Sequence, residues 1–416
     1  MLNNNVFKVI GGQNVTVNSG YLNKKSLGYI SQMSIHVNRG KILFTGKGIL
    51  EAYKLSKIFK KVVFIGFSPN KKFLKICLDK KFTIYGLPKY INEFKNSTWK
   101  PFKLFIKALQ NLISVFTRLT SIILHEKLDL LRVENISLVG FPTFLVSLLS
   151  RRKFILWIGG LEKDVLKLKL NTPISQIIIF LFDLICRMVV RKACYVLTVF
   201  PNIKEYLLRL GARKLTILDI NFVDIDILKP STSNEEVLKE KSGKMIVLYV
   251  GRLEKEKGVC ELIKAMAKVC KVIKNAELWI VGDGTLREKL KKLAKQIGVP
   301  TKFWGRRDIR ELSNFYYAAD IFVLPSLVEE SAPAALLEAM ACKLAVISTS
   351  SLIKRCKGCG IFVPMGNTNM LANTIIKLLR DKDLRRKIGN RASEFVKKFS
   401  KEYLEATYKA YAECFK

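Results

Sequence analysis

Histidine is almost missing from this chain: only His36 and His125 stand among 416 residues. A His-rich metal site is thereby excluded, and acid–base catalysis by imidazole is poorly supplied. Acidic side chains are scarce too, 34 Asp plus Glu against 72 Lys plus Arg, for a net charge of +38. Residues 1–50 contain no Asp or Glu at all. No apolar run reaches the about 18 residues of a membrane-crossing helix, because Asp183 and Arg187 interrupt the most apolar stretch, Ile174 to Val190. No period of about 20–50 residues marks a repeat array. Met1-Leu-Asn-Asn-Asn leads straight into a strand-like run, so no signal peptide is expected and a cytoplasmic location is. The nine cysteines are scattered, mostly in apolar segments such as Ile76-Cys77 and Ile185-Cys186, which suits reduced, buried thiols. Only Cys356-Lys-Gly-Cys359 has chelating spacing; one such pair without a second reads as a turn before it reads as a zinc or redox site.

What is present fits two domains of ordinary size, each able to bury a core. The polar, turn-rich stretch Lys229 to Gly243 is the expected seam, giving domains over 1–230 and 231–402, with a helix over 403–416 returning to the first. In the first half, strands are expected at Val6 to Ile10, Ile42 to Thr45, Val62 to Phe67, Ser137 to Gly140 and Cys194 to Val199. Across 246–350, strand-type runs alternate with helix-type runs, which predicts a doubly wound parallel sheet. Helices are expected over Leu378 to Lys398 and Tyr403 to Lys416.

The richest segment runs from Pro325 to Cys342. Ile321 to Leu324 is a short strand-type run that Pro325 and Ser326 stop, at the carboxyl edge where ligands of parallel sheets bind. Beyond the turn, Ser331 or Ala332 is expected to cap a helix with Pro333 in its first turn, where a missing amide costs no internal bond. The amides of Ala334 and Ala335 then point out of the helix N-terminus and favour an anion. Glu330 before the helix and Glu338 within it can face one ligand at two depths, one carboxylate for ribose hydroxyls and one for sugar hydroxyls. An amphipathic helix packed on a strand, with two exposed glutamates, gives the same letters. A second segment shifts the balance: the strand-type Ile246 to Val250 is followed at once by Gly251-Arg-Leu-Glu-Lys-Glu-Lys-Gly258. Arg252 offers a planar fork and Lys257 a compact charge, the groups a diphosphate leaving group needs where no metal serves. Between them, Glu277 to Val281 ends in Gly282-Asp283-Gly284, a turn that by itself is nonspecific.

Gly251-Arg252-Leu253, Glu256-Lys257-Gly258, Val281 to Gly284, Ala319-Asp320, Pro325-Ser326 and Glu330 through Cys342 together resemble the retaining, family 4 type of GT-B glycosyltransferases, that is, glycosyl transferases group 1. The resemblance is best over about 245–400 and looser before, where Leu210-Gly-Ala212 and Asn221-Phe-Val-Asp224 are similar to the segment closing the N-terminal domain. It implies an α/β, GT-B fold: two facing Rossmann-like, doubly wound domains with a donor in the interdomain cleft. It implies catalytic roles for Arg252, Lys257 and Glu330, and donor binding by Gly251, Gly282, Gly284, Ala334, Ala335 and Glu338. It also implies front-face transfer of a hexosyl group without a protein nucleophile, no cofactor and no metal, the nucleotide-diphosphate sugar being substrate.

Three departures stand out. The family usually has glycine where Phe222 stands, and glycine and proline where Lys343 and Ala345 stand. Many relatives carry a histidine after an N-terminal-domain strand; the corresponding Phe154 to Glu162 has none. Near the acceptor, Gly11, Gly12, Gly159 and Gly160 are expected to bring backbone close, with Glu162 or Asp164 as polar contacts.

Residues 1–230 hold 37 basic and 13 acidic residues, so the positive surplus favours the first half. Lys71-Lys72, Lys80-Lys81 and Arg151-Arg-Lys153 are local clusters. With Trp99 to Arg118 and Ile174 to Val190 as apolar basic segments, they point to an anionic membrane surface rather than nucleic acid, for which no module is present. A lysine-rich composition and, for 174–190, a core helix explain the same residues; a core helix is the expectation there. The expected activity is transfer of a sugar to a glycan or lipid-linked hydroxyl acceptor at the inner face of a membrane. The alternative is a catalytically inactive scaffold subunit that keeps the fold.

Overall fold

The computed structural model describes residues 7–9, 13–15, 21–38, 41–43, 47–68, 73–88, 101–136, 139–159, 173–228, 235–330 and 332–416. The chain divides into two compact units: Met1–Leu218 with Leu404–Lys416, and Asp219–Tyr403. Ile220, Val223 and Leu228 are buried in the core of the second unit. The boundary therefore falls upstream of the polar stretch from which 230 was read.

The first unit is built on eight strands: β1 Ser26–Ser34, β2 Lys61–Ser68, β3 Leu74–Cys77, β4 Phe82–Pro88, β5 Leu130–Glu134, β6 Lys153–Ile158, β7 Tyr195–Thr198 and β8 Leu215–Ile217. Their order is β8-β7-β6-β5-β1-β2-β4-β3, parallel except for β3 against β4. The central strands are buried along their whole length, as a parallel sheet covered on both faces requires. Helices α2 (Pro101–His125), α3 (Gly140–Ser150) and α4 (Pro173–Lys192) connect β4, β5, β6 and β7 in steps of one direction. Right-handed crossovers put all three on one sheet face, where Leu119, Val146 and Val189 share a core with Val63 and Leu131. Helix α1 (Lys47–Leu55) makes the opposite step and lies on the other face.

The first-half strands depart from expectation in three places. Among the described residues Phe7–Val9 pairs only with Gln13–Val15, and Lys41–Leu43 only with His36–Asn38, in two small antiparallel hairpins. The central strand is β1, whose mixed letters hide it. The strand expected at Ser137 to Gly140 is instead β5, and Gly140 opens α3; residues 137–138 lie outside the described residues. Arg132 and Glu134 disguise β5 as polar, yet both are buried. The Arg132 guanidinium is paired with Glu51 and donates to Tyr411 Oη at 3.0 Å, while Glu134 accepts from Tyr29 Oη at 2.7 Å and from Ser31. A charge is tolerated at such depth only when paired and hydrogen-bonded.

Helix α4 corrects another expectation. Cys186, Val189 and Val190 are buried, but Phe180, Leu181, Leu184 and Met188 are exposed, so the segment is not a core helix. Cysteine pairing also differs: Cys194 is bonded to Cys414 and Cys356 to Cys359, leaving five free thiols, of which Cys186 and Cys342 are buried. No helix among the described residues is long and apolar enough to cross a membrane.

The second unit carries β9 Met245–Val250, β10 Ala276–Val281, β11 Thr301–Gly305, β12 Ile321–Leu324, β13 Ala345–Ser348 and β14 Ile361–Phe362. Their order is β11-β10-β9-β12-β13-β14, all parallel. Between and after the strands come α5 (Lys204–Arg209, in the first unit), α6 (Glu235–Lys241), α7 (Val259–Val272), α8 (Arg287–Gln296), α9 (Ile309–Ala318), α10 (Ala334–Ala341), α11 (Ser351–Arg355), α12 (Thr368–Arg380) and α13 (Lys382–Phe415). Both units are thus Rossmann-like. The two helices expected at the C-terminus are displaced: the break falls at Asp381, which caps α13 by accepting from Leu384 N–H at 2.8 Å, and none falls near residue 400.

Candidate functional site

Strand order in the second unit reverses between β9 and β12, and the crevice outside their carboxyl ends is where such sheets bind ligands. The loops leaving these two strands carry the residues that the sequence singled out. After β9, Gly251 N–H donates to Val281 O at 3.0 Å and Leu253 N–H to Asp283 O at 3.0 Å, so the β9 and β10 loops run together. A short turn, Lys255–Lys257, ends at Gly258 with φ +67°, and α7 starts there. A Cβ on Gly258 would lie 2.0 Å from Pro325 O, so the left-handed turn also lets the β9 and β12 loops touch. Gly282 has φ +139° and its Cβ would meet Gly251 O at 1.9 Å. Gly284 N–H donates to its neighbour's carboxylate at Asp283, at the mouth of the same turn.

This closeness brings Lys257 to Glu330. Nζ lies 2.7 Å from Oε2, with both side chains mostly buried, and Ser326 Oγ donates to the other carboxylate oxygen. Ser350 Oγ donates to the Glu330 carbonyl and fixes its backbone. Arg252 is placed differently: its side chain is 63% exposed and its guanidinium reaches Glu256 at 3.1 Å. Its backbone is held by Tyr249 Oη, which donates to Arg252 O at 2.8 Å. Burial, reinforced by the Glu330 carboxylate, pushes the Tyr249 phenol well above its ordinary value and keeps it a donor.

Pro333 occupies the N-cap of α10, in extended conformation, rather than its first turn. Proline suits that ψ, and Ser331, one of the two caps expected, lies outside the described residues. The first intrahelical bond runs from Leu337 N–H to Pro333 O at 3.2 Å, so the amides of Ala334 and Ala335 precede it and face outward. Asn221 Nδ2 donates to Ala332 O and pins the preceding loop. Further along α10, Glu338 is only 9% exposed and accepts from Tyr316 Oη at 2.8 Å. Burial, then the Glu338 charge, raises the Tyr316 phenol and keeps its proton.

The structure therefore joins Lys257 to Glu330, stacks the Gly251 and Gly282 turns against each other, and sets Arg252 and Glu338 each with its own partner. Sequence reasoning missed Tyr249 and Tyr316, and named Ser326 only as a strand stop and motif residue, not as the partner of Glu330. Tyr316 sits on the buried face of an amphipathic helix and reads as core. In the first unit, Gly159 N–H donates to Asn135 Oδ1 at 3.1 Å, and a Cβ there would clash with the Trp157 ring. Gly11, Gly12, Gly160, Glu162 and Asp164 lie outside the described residues. Among the described residues no group of His, Cys, Asp and Glu is arranged to hold a metal ion.

Comparison with known proteins bears on this arrangement. A family described as glycosyl transferases group 1 matches residues 231–395. The lipopolysaccharide 1,2-N-acetylglucosaminetransferase of Salmonella typhimurium is 31% identical over 38% of this chain and 44% of its own. The chain spans about half the length of the curated relatives it matches. Among solved structures, sucrose-phosphate synthase from Thermosynechococcus elongatus is similar with a TM-score of 0.70 at 20% identity, covering 94% of this chain and 99% of that one. HepE of Anabaena, solved in complex with UDP and glucose, is similar at 0.63 and 16% identity, covering 92% and 100%. At these identities the likeness is one of fold, and the fold is GT-B.

Proposed function

We propose, from the premise that the C-terminal unit belongs to the glycosyl transferases group 1, that this chain moves a sugar from a nucleoside-diphosphate donor to a hydroxyl of a glycan or lipid-linked acceptor, with retention at the anomeric carbon. The observation that carries the reading is the Lys257–Glu330 pair at the carboxyl ends of β9 and β12, beside the N-terminus of α10. A cation, a carboxylate and outward amides meet where a donor needs a diphosphate site and a hydroxyl site side by side. The relative acting in lipopolysaccharide synthesis and the neighbour solved with UDP and glucose support the same chemistry.

In this reading Lys257 turns from Glu330 to a diphosphate oxygen, and Arg252, exposed and loosely held, leaves Glu256 for the same group. The amides of Ala334 and Ala335 add donors. Glu330 accepts from hydroxyls of the transferred sugar, and Glu338, fixed by Tyr316, from those of the ribose. As the acceptor oxygen bonds to the anomeric carbon, the bond to the diphosphate oxygen breaks with its electron pair, and the diphosphate takes the acceptor's proton. No protein group becomes covalently attached. The chain's work is positioning and charge stabilisation, with two cations and the helix amides supplying countercharge in place of a metal.

The test is release of nucleoside diphosphate from UDP-, GDP- and ADP-sugars in the presence of chelator, with product configuration read by proton NMR. Turnover of one donor to an α-linked product from an α-donor is expected. Inversion overturns the mechanism, and no release from any donor with lipid-linked or glycan acceptors overturns the activity.

A further inference from the structure

We propose that the outer face of α3 and α4 in the first unit is a docking surface for an anionic lipid bilayer. Helices α2, α3 and α4 lie side by side on one face of the sheet, and their inner sides form its core. Outward, α3 and α4 leave large apolar side chains in solvent: Leu148, Leu149 at 69% exposure, Phe180 at 68%, Leu181, Leu184 and Met188. On α4 these follow helical spacing, so positions 180, 184, 187, 188 and 191 form a single exposed stripe. Its first half is apolar; its second half carries exposed Arg187 and Arg191, with Lys192 beside them. Exposed Arg151 and Lys153 follow the end of the neighbouring α3.

Charge decides the occupant. The only acidic residue in all three helices is Asp183, and it accepts from Tyr206 Oη at 2.8 Å. An apolar patch whose charged side chains on α3 and α4, the hydrogen-bonded Asp183 apart, are all cations matches a bilayer whose headgroups are anionic: apolar side chains enter the acyl boundary while the guanidinium groups stay at phosphate level. A second copy of this chain fits less well, because it would bring two basic rims together. Among the described residues no helix is long and apolar enough to cross a bilayer, and the proposed contact is one of surface docking. This inference stands apart from the transferase reading.

The test is co-sedimentation of the full chain with phosphatidylcholine vesicles, with and without phosphatidylglycerol, at low and high salt. Binding only to the anionic vesicles is expected. The double change Arg187→Gln with Arg191→Gln should weaken it about 25-fold, at about fivefold per basic residue, and flatten the salt dependence. Phe180→Ser with Leu184→Ser should weaken it at both salt concentrations with the melting midpoint kept; Leu149→Ser on the adjacent helix reads the same face if that pair folds poorly. Lys295→Gln, on α8 of the second unit, should change nothing. Vesicle binding equal in wild type and the α4 and α3 variants overturns the proposal. So does a dimer that the Phe180 and Leu184 changes convert to monomer while vesicle binding stays intact.

Discussion

Lys257 and Glu330, 73 residues apart in sequence, form an ion pair of 2.7 Å that ties the loop after β9 to the loop after β12. In the proposed mechanism a ligand phosphate competes with Glu330 for the Lys257 ammonium, so the pair is the place to test it. Lys257→Ala should lower kcat/KM by about 100- to 1000-fold, the size of losing one preorganised charge donor. Glu330→Gln should cost a comparable factor, and the double variant close to the product of the two, because with donor bound the two side chains hold different groups of it. Steady-state kinetics of the four proteins checks this; a double variant no worse than either single one contradicts it.

A change at Arg252 is expected to affect activity without affecting stability. Its ion pair with Glu256 is exposed, and such pairs contribute about 0–1 kcal/mol. Arg252→Ala should leave the melting midpoint nearly unchanged while lowering turnover at least tenfold, as seen by calorimetry and kinetics on one preparation.

Lys343 adopts φ +60°, directly after α10 and Cys342. The family's usual glycine at this position has a plain cause: a side chain in the left-handed region is strained by about 1 kcal/mol. Lys343→Gly should raise unfolding stability by up to about that amount in urea titrations, with donor binding unaltered.

Acid should destabilise the fold through particular glutamates. Hydrogen bonds from Lys244 and Lys302 hold Glu240 below its ordinary value. For Glu126, burial alone would raise the value, but hydrogen bonds from Lys61 and Tyr85 outweigh it and the net direction is down. A carboxylate depressed in the folded state contributes stability that is complete above its unfolded value, about 4.5, and is lost as pH falls through the folded one. Stability should therefore be level above about pH 5.5 and decline below about 4.5, and Glu126→Gln should make that decline shallower. A slope unchanged by the substitution contradicts it.

Much of the second unit was legible because its strands are uninterrupted apolar runs: Ile321 to Leu324 is β12 to the residue, and Ile246 to Val250 is β9 less its first residue. The first unit was less so. Strands β1 and β5 carry Ser31, Arg132 and Glu134 inward, and only tertiary partners invisible locally, Tyr29 and Ser31 on β1 for Glu134 and Glu51 and Tyr411 on helices for Arg132, make those residues compatible with burial. At the site, the charged residues announced themselves, whereas Tyr316 and Ser326 act through contacts that only tertiary packing creates. Lys343 was conspicuous as a departure; its left-handed backbone accounts for the usual glycine, and nothing in the structure explains the lysine.

The most direct test of a metal-independent nucleoside-diphosphate site in the second unit is the thermal midpoint with UDP, GDP and ADP in chelator, for wild type, Lys257→Ala and Glu338→Ala. A ligand that binds only the native state must raise the midpoint. One nucleotide should raise it in the wild type and much less in both variants; no shift with any nucleotide, or an equal shift in all three proteins, would contradict the account.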